Sequence, residues 1–327
     1  MKKTLYASLL AMLFFSACQE SEETEQLQQK EYTVSITARI GKTVAKARYQ
    51  QTDATAAAEF IVTDKIGVFM DDANVGCWTF DGISWGTDNS VYWKDKDEAH
   101  IFCAYYPYTE AEDKKHIKMP TLDSQDGSWG NIAKYDFLVA SKTLSYNEGN
   151  GNVSFSSNNS FKHVSSLLKI NIKSAGDMAK AVIDRITLES ENLITQTYYS
   201  FETNDVTIDE ITSKGTFSIT PEHLMNNQDA SFCFILNGRQ TDENAETKAV
   251  ISHPVNMVIE YTSNSKKYTA RRDGLSSDLL SGRIHEYNIL IKGGTVTITG
   301  GSISGWTPGN EIEDIIINGE EATSINE

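Results

Sequence analysis

The chain has 327 residues and a formal net charge of -16. This acidic balance argues against a nucleic-acid partner, whose phosphates would repel such a surface. The length allows two domains of ordinary size, and the four cysteines include no C-x-x-C pair, which argues against a structural zinc site.

The first 17 residues have the pattern of an export signal. Two lysines open the chain, an apolar run at 5–15 is too short to span a bilayer, and small residues precede Cys18. This arrangement resembles a bacterial lipobox, in which the cysteine becomes an acylated N-terminus. We expect a lipoprotein signal peptide over 1–17 and lipidation (palmitate) at Cys18; an ordinary secretory signal is the alternative.

Residues 18–31 are rich in glutamate and glutamine. Such a segment has few apolar side chains to bury, so we expect a flexible acidic tether. Acidic residues directly after a lipidated cysteine resemble the surface-export signals of some Gram-negative lipoproteins. They favour display on the outer surface, and a periplasm-facing tether is the alternative.

Beyond the tether, alternation of apolar and polar residues predicts strands and no long helix. Turn residues such as Asn-Gly and Asp-Gly separate the alternating stretches. The stretches lie at 32–38, 66–70, 101–105, 153–155, 167–172, 186–188, 217–219, 232–236, 255–261 and 287–291. The pattern predicts an all-β chain with two antiparallel β-sandwiches in series.

The longest stretch without an apolar side chain between these predicted strands lies at 147–152. Polar, glycine-rich segments are typical of domain boundaries. We therefore predict an N-terminal domain over 32–150 and a C-terminal domain over 151–327.

Three cysteines remain after Cys18. Cys103 and Cys233 stand among apolar residues, which predicts buried thiols. A disulfide between Cys77 and Cys103 is an alternative that the sequence leaves undecided. His163 lies on a predicted strand between apolar neighbours. We expect it to bond a buried polar partner and not a metal.

No catalytic motif is complete in this sequence. The S-x-x-K spacing at 166–169 falls on a predicted strand, where that motif requires a helix, and His285-Glu286 lacks the second histidine of a zinc protease. No phosphate-binding or dinucleotide-binding glycine pattern occurs. We predict no enzyme, no cofactor and no metal.

Several motifs follow one another in a characteristic order: TDKIGVF (63–69), YW (92–93) with FCAYYP (102–107), YDFLVA (135–140), FKHVSSLLKI (161–170), YNI (287–289) and ISGW (303–306). This order resembles the fimbrillin family, the Mfa-like and FimA-like fimbrial subunit lipoproteins. Lys94 departs from the family pattern, in which proline commonly follows Tyr-Trp.

The resemblance implies two transthyretin-like sandwich domains that assemble by strand exchange. A trypsin-like protease cuts after an arginine beyond the first strand, and a neighbouring subunit's C-terminal strand takes the vacated place. Arg48 is the candidate for this cut and Arg39 the second candidate, because Arg39 still lies within the first strand pattern. Ordinary solvated arginines are the alternative.

The candidate donor strand lies at about 310–320, where isoleucines cluster near the chain end. Ile315 and Ile317 share one face of an extended chain, and Ile312 and Ile316 lie beside them. Glu313 and Asp314 interrupt the alternation. A final strand that closes its own sandwich is the alternative.

The sequence thus predicts a structural subunit of an adhesive surface fimbria, anchored in the outer membrane until it matures, with other fimbrial subunits as partners. The alternative is a lipid-anchored tip or anchor protein, or an adhesin that binds host glycan or protein. Exposed aromatic rings would carry such binding, and the candidates are Trp78, Trp85 and Trp129.

Overall fold

The computed structural model describes residues 32–40, 59–207, 214–237, 249–251, 255–275, 279–292 and 295–305. Strands dominate this part of the chain, and its one α-helix, α1 (Tyr146–Gly149), is a single turn. Short 3-10 helices span Trp129–Lys134, Ser157–Asn159 and Gly176–Met178. The prediction of an all-β fold is confirmed.

The strands in chain order are β1 (Ser35–Ala38), β2 (Lys65–Met70), β3 (Gly76–Phe80), β4 (Trp85–Gly86), β5 (His100–Tyr106), β6 (Ile117–Lys118), β7 (Leu138–Leu144), β8 (Asn152–Phe155), β9 (Lys162–His163), β10 (Ser166–Ala175), β11 (Val182–Ile194), β12 (Tyr198–Ser200), β13 (Asp205–Thr207), β14 (Lys214–Ile219), β15 (His223–Leu224), β16 (Ala230–Leu236), β17 (Ala249–Ile251), β18 (Asn256–Ser263), β19 (Lys266–Arg272), β20 (Leu279–Leu280), β21 (Arg283–Lys292) and β22 (Thr295–Gly305). Every stretch predicted from alternation overlaps one of them.

Three large sheets organise these strands. One has the order β4-β3-β2-β5-β7-β9, a second β16-β10-β21-β22, and a third β14-β11-β18-β19 with β15 beside β11. Most neighbours are antiparallel, but β1 pairs with β8 and β10 with β21 in parallel. These parallel partners are far apart in sequence, as parallel pairing requires, so local alternation does not reveal them.

The six-stranded sheet is buried on both faces. Ile66 and Val68 of β2 point into the main core, whereas Phe69 lies in a second apolar cluster with Tyr105. Gly67 makes room for this cluster, since a Cβ at that position would lie 2.3 Å from the Tyr105 ring. Double burial explains why β2 and β5 have apolar runs more continuous than alternation alone would give.

The predicted division at 150/151 stays a prediction. Hydrogen bonds join residues before this position to residues after it. β8 and β9 pair with β1 and β7 of the first half. The backbone N–H groups of Met119 and Leu122 donate to the carbonyls of Thr197 and Thr195, at 3.1 and 2.9 Å. The two halves of the chain are therefore joined by strand-like pairing.

Candidate functional site

Residues 32–40 form one extended segment with β1 at its centre, which we name the first strand. Along its length β1 pairs in parallel with β8, from Ser35 opposite Asn152 to Ala38 opposite Phe155. Toward its start, Thr33 forms an antiparallel bridge with Tyr92. The first strand thus lies between two other parts of the chain, in a channel that we name the first-strand groove.

The side chains of the first strand alternate between the core and solvent. Val34, Ile36 and Ile40 are 3%, 6% and 8% exposed and belong to the main apolar core. Ala38, on the same face, is half-buried, and the residues between them are exposed. Burying three aliphatic side chains stabilises the strand by on the order of 5 to 9 kcal/mol.

Aromatic rings form much of the core beneath this strand. Phe60 packs edge-on against Trp85 and Phe161, with ring centroids 5.0 and 5.3 Å apart. Phe155 lies 5.8 Å from Phe161, and β1 also packs against β4. Large rigid rings leave a groove of defined shape for the inward side chains of the strand.

Backbone hydrogen bonds hold the first strand on both sides. The donor–acceptor pairs are Val34 N–H to Val91 C=O (2.8 Å), Trp93 N–H to Tyr32 C=O (2.8 Å), Ser35 N–H to Gly151 C=O (3.0 Å), Arg39 N–H to Phe155 C=O (2.9 Å) and Phe161 N–H to Arg39 C=O (3.0 Å). Without the strand, the groove would keep three carbonyls and two N–H groups that lack these partners.

The Gly151 carbonyl accepts three hydrogen bonds in the groove. It accepts from the Ser35 N–H, from the Ser35 hydroxyl at 3.3 Å and from the indole N–H of Trp93 at 3.3 Å. Asn150 and Gly151 both have left-handed backbones, with φ of 48° and 79°. The Asn-Gly segment was predicted as a domain boundary, and its contact with the first strand was not predicted, because an Asn-Gly pair signals only a turn.

The start of the first strand is held by aromatic packing and charge. The Tyr32 ring lies 5.5 Å from the Tyr146 ring. The ammonium group of Lys96 lies 4.3 Å from the centroid of Tyr32 and 5.6 Å from that of Tyr146. This cation–π arrangement places a positive charge at the entrance of the groove.

Arg39 is the one predicted maturation residue within the described part of the chain. Its side chain is exposed, but its N–H and C=O are both bonded to groove residues. A protease must bind an extended backbone, so these hydrogen bonds protect Arg39 while the strand is in place. The other predicted lipidation, maturation and donor residues lie outside the described residues: Cys18, Arg48, Ile312, Ile315, Ile316 and Ile317.

The tryptophans predicted to contact a ligand do not form an exposed group. Trp78 and Trp85 are 3% and 7% exposed, and the Trp85 ring packs on Phe80. Trp129 is half-buried, with the Lys169 ammonium group 5.8 Å from its ring. The prediction is therefore wrong for Trp78 and Trp85, because the fold uses their rings to fill its core.

The three cysteines of the described residues are free thiols. Cys77 on β3 and Cys103 on β5 lie on either side of β2, so no disulfide joins them. Two strand spacings separate their backbones by about 9 to 10 Å, beyond the reach of a disulfide. Burial raises the pKa of the Cys103 thiol to about 11, which keeps this thiol protonated.

The prediction that His163 bonds a buried polar partner is confirmed. Its Nδ1 lies 2.8 Å from a carboxylate oxygen of Asp136, and both side chains are buried. Ser166 and Lys169 of the S-x-x-K spacing lie on β10, as expected. Within the described residues, no cluster of His, Cys, Asp or Glu could hold a metal ion, and no helix is long and apolar enough to cross a membrane.

Solved structures with a similar fold include proteins from Bacteroides species. A candidate cell adhesion protein from Bacteroides ovatus superposes with a TM-score of 0.57 at 18% identity, over 85% of this chain and 99% of that one. A fimbrial protein from Bacteroides vulgatus gives a TM-score of 0.52 at 14% identity, over 84% and 100% of the two chains. At such identities the likeness shows the fold alone. No curated protein matches the chain significantly in sequence.

The sequence profile of the fimbrillin-like family matches residues 50–306, which is most of the chain. The match includes the TDKIGVF, FCAYYP and YDFLVA motifs, which form β2, β5 and the beginning of β7. It confirms the resemblance that these motifs indicated. The chain belongs to the fimbrillin-like family.

Proposed function

We propose that the protein is a structural subunit of an adhesive surface fimbria, assembled by removal of its first strand and donation of a strand from a neighbouring subunit. Membership of the fimbrillin-like family supports the fimbrial role. The observation that carries the assembly mechanism is the placement of the first strand, which lies in a groove and, among the described residues, pairs with partners far from it in sequence.

Removal of the first strand would leave an incomplete fold. Three aliphatic side chains would leave the core, and five backbone groups of the groove would lose their partners. Each backbone hydrogen bond contributes about 1 kcal/mol net, in addition to the apolar burial. A strand from another subunit that restores both the apolar burial and the backbone hydrogen bonds would form a stable contact between subunits.

The cut that releases the strand falls after Arg48. This residue lies between Ile40 and Glu59, the ends of two described segments, so cleavage there separates the whole first strand from the rest of the chain. Arg39 is disfavoured because both of its backbone groups are bonded in the groove. A trypsin-like protease supplies the required specificity for arginine.

The donor is the C-terminal segment at about 310–320. β22 is already the edge strand of the sheet β16-β10-β21-β22. The donor segment follows this edge strand directly in the chain. Ile312, Ile315, Ile316 and Ile317 supply the apolar side chains of this segment.

Before maturation, acylation of Cys18 anchors the precursor in the outer membrane, and the acidic tether of residues 18–31 carries the folded part to the surface. Several acyl chains give stable anchoring where a single chain does not. The second candidate function, recognition of host glycan through tryptophans, gains no support from the described residues because Trp78 and Trp85 are buried.

Co-expression of the precursor with a trypsin-like maturation protease tests the proposal. We expect a new N-terminus at Tyr49 and a ladder of SDS-resistant oligomers. Arg48→Ala should leave monomers, whereas the matched control Arg39→Ala should still form the ladder. Complete cleavage that yields only monomers would refute assembly by strand exchange.

A further inference from the structure

We infer that a cavity between the loop before β6 and strand β12 binds a neutral sugar residue. The inference rests on the adhesive role in the proposed function and adds a class of ligand to it. Binding in this cavity does not require strand exchange, so the two can fail separately.

The cavity is small and has polar and aromatic walls. Its volume is about 240 Å³. Pockets for drug-sized ligands have volumes of about 300–1,000 Å³, so this one accommodates a single small ring. The polar and aromatic side chains that line it are those of Glu110, Glu112, Asp113, His116, Lys118 and Tyr198.

The rings of His116 and Tyr198 form the aromatic wall. Their centroids lie 3.9 Å apart and their planes differ by 17°. Tyr198 lies opposite Lys118 in the antiparallel pair of β12 and β6, and the next pair, Tyr199 and Ile117, is buried in the second apolar cluster. The wall therefore stands on strands that the core holds in place. A flat aromatic surface suits the apolar C–H face of a sugar ring, whose hydroxyl groups point outward.

The loop that carries the carboxylates is fixed by hydrogen bonds. The Thr109 hydroxyl donates to the Lys118 carbonyl at 3.1 Å, which ties the start of the loop to β6. The Asp113 carboxylate accepts from the backbone N–H groups of Lys115 and His116, at 2.7 and 3.2 Å. These bonds form the cavity before any ligand arrives, which lowers the cost of ordering on binding.

Three charged side chains of the cavity are available to a ligand. Within the described part of the chain, the side chains of Glu110, Glu112 and Lys118 form neither an ion pair nor a hydrogen bond. A sugar hydroxyl donates to a carboxylate and accepts from an ammonium group, so a neutral sugar uses both kinds of group. A cation would use only the carboxylates. An anionic sugar would be repelled, because three carboxylates stand against one ammonium group.

The cavity and the first-strand groove lie on opposite sides of the six-stranded sheet. Ile66 and Val68 of β2 face the main core, to which the first strand also belongs. Phe69 faces the second apolar cluster, together with Ile117 and Tyr199 of the strands that support the cavity. The cavity therefore stays accessible whether or not a strand occupies the groove.

Saturation-transfer NMR on the uncleaved precursor tests the inference. The neutral probes are the methyl glycosides of glucose, galactose, mannose and N-acetylglucosamine; N-acetylneuraminic acid is the anionic probe and L-arginine amide the cationic one. We expect at least one neutral glycoside to bind, with the strongest transfer to its ring C–H protons, and neither charged probe to bind.

Two variants locate the binding in the cavity. Tyr198→Ala should weaken the binding of the neutral glycoside by about tenfold, because the ring contact is lost. The matched control Tyr92→Ala changes a tyrosine that is 42% exposed and lies outside the cavity, and it should bind as the wild type does. Lys118→Met, at an exposed position, removes the one ammonium donor and should also weaken binding. Equal melting temperatures show that the variants are folded.

The possible results decide between the alternatives. Binding of arginine amide without any neutral glycoside would overturn the inference in favour of a cation site. No binding of any neutral glycoside, or equal binding by the wild type, Tyr198→Ala and Lys118→Met, would overturn it outright. None of these results would change the oligomer ladder that tests strand exchange.

Discussion

Ser35 donates twice to the same carbonyl, that of Gly151, through its backbone N–H at 3.0 Å and its hydroxyl at 3.3 Å. These bonds join the first strand to the turn that precedes β8. The Trp93 indole donates to the same carbonyl, so the turn connects both sides of the groove. The position of Gly151 therefore decides how well the first strand is held.

Gly151→Ala should destabilise the precursor by about 1 to 2 kcal/mol, because a Cβ is strained at a φ of 79° and would lie 3.0 Å from the Tyr146 ring. Gly86→Ala is the matched control, since a Cβ there has nothing within 4 Å. Urea unfolding of both variants measures the difference. Equal stabilities would show that the turn at Gly151 does not depend on a left-handed backbone.

Ile36→Ala should lower the free energy of unfolding by about 2 to 4 kcal/mol, because the buried side chain would leave a cavity above the aromatic core. Thr37→Ala, at the neighbouring exposed position, should cost under about 1 kcal/mol. Thermal unfolding of the uncleaved precursor compares them. After cleavage at Arg48, the strand with Ile36→Ala should also dissociate faster, as mass spectrometry of the retained fragment would show.

Alternation in the sequence predicted many of the strands that bury one face or lie in the core, such as β10 and β21, but not β3 or β7. It missed β19, because the charged residues of this edge strand, among them Lys266 and Arg271, hide the period of two. Charged side chains on an edge strand oppose unwanted pairing between molecules. This explains why β19 lacks the alternation of apolar and polar residues.

The groove could be predicted only in part. The inward residues of the first strand follow from alternation, but its parallel pairing with β8 depends on contacts between residues more than 100 positions apart, such as Ser35 and Asn152. The burial of Trp78 and Trp85 was also hidden, because polar and turn residues surround them in the sequence. Tertiary packing, which no local pattern records, decides both features.

Reducing agents should leave the melting temperature unchanged, because the cysteines of the described residues are free thiols. In the folded protein, Cys103 and Cys233 should not react with a thiol reagent at pH 8, since burial raises the pKa of both. All three should react after unfolding. A drop in melting temperature on reduction would instead indicate a bond between Cys77 and another cysteine.

Gln125→Ala should cost about 2 to 4 kcal/mol. The side-chain amide of the buried Gln125 pairs with strand β16, where it accepts from the Ile235 N–H at 2.7 Å and donates to the Ile235 carbonyl at 2.8 Å. Its removal would leave two buried backbone groups unsatisfied, at about 1 to 3 kcal/mol each. Gln228→Ala, at an exposed position, is the matched control. Urea unfolding measures the loss in free energy of unfolding. Slow hydrogen exchange of the Ile235 amide in the variant would contradict the role of Gln125.

Asp71→Asn should remove part of the acid sensitivity of the fold. Burial raises the pKa of the Asp71 carboxyl, but hydrogen bonds from Lys94, the Ile101 N–H and His100 outweigh it and lower the pKa from 3.8 to about 2. A carboxyl with a depressed pKa in the folded state stabilises the protein above its unfolded pKa, and this contribution is lost as the pH falls from about 4 to 2.

The wild type should therefore lose more stability over this interval than Asp71→Asn, as unfolding curves at pH 4, 3 and 2 would measure. Asp72→Asn, whose carboxylate is 89% exposed, is the control and should change the pH dependence less. Parallel pH profiles for the wild type and Asp71→Asn would show that the contacts of Asp71 do not contribute to stability.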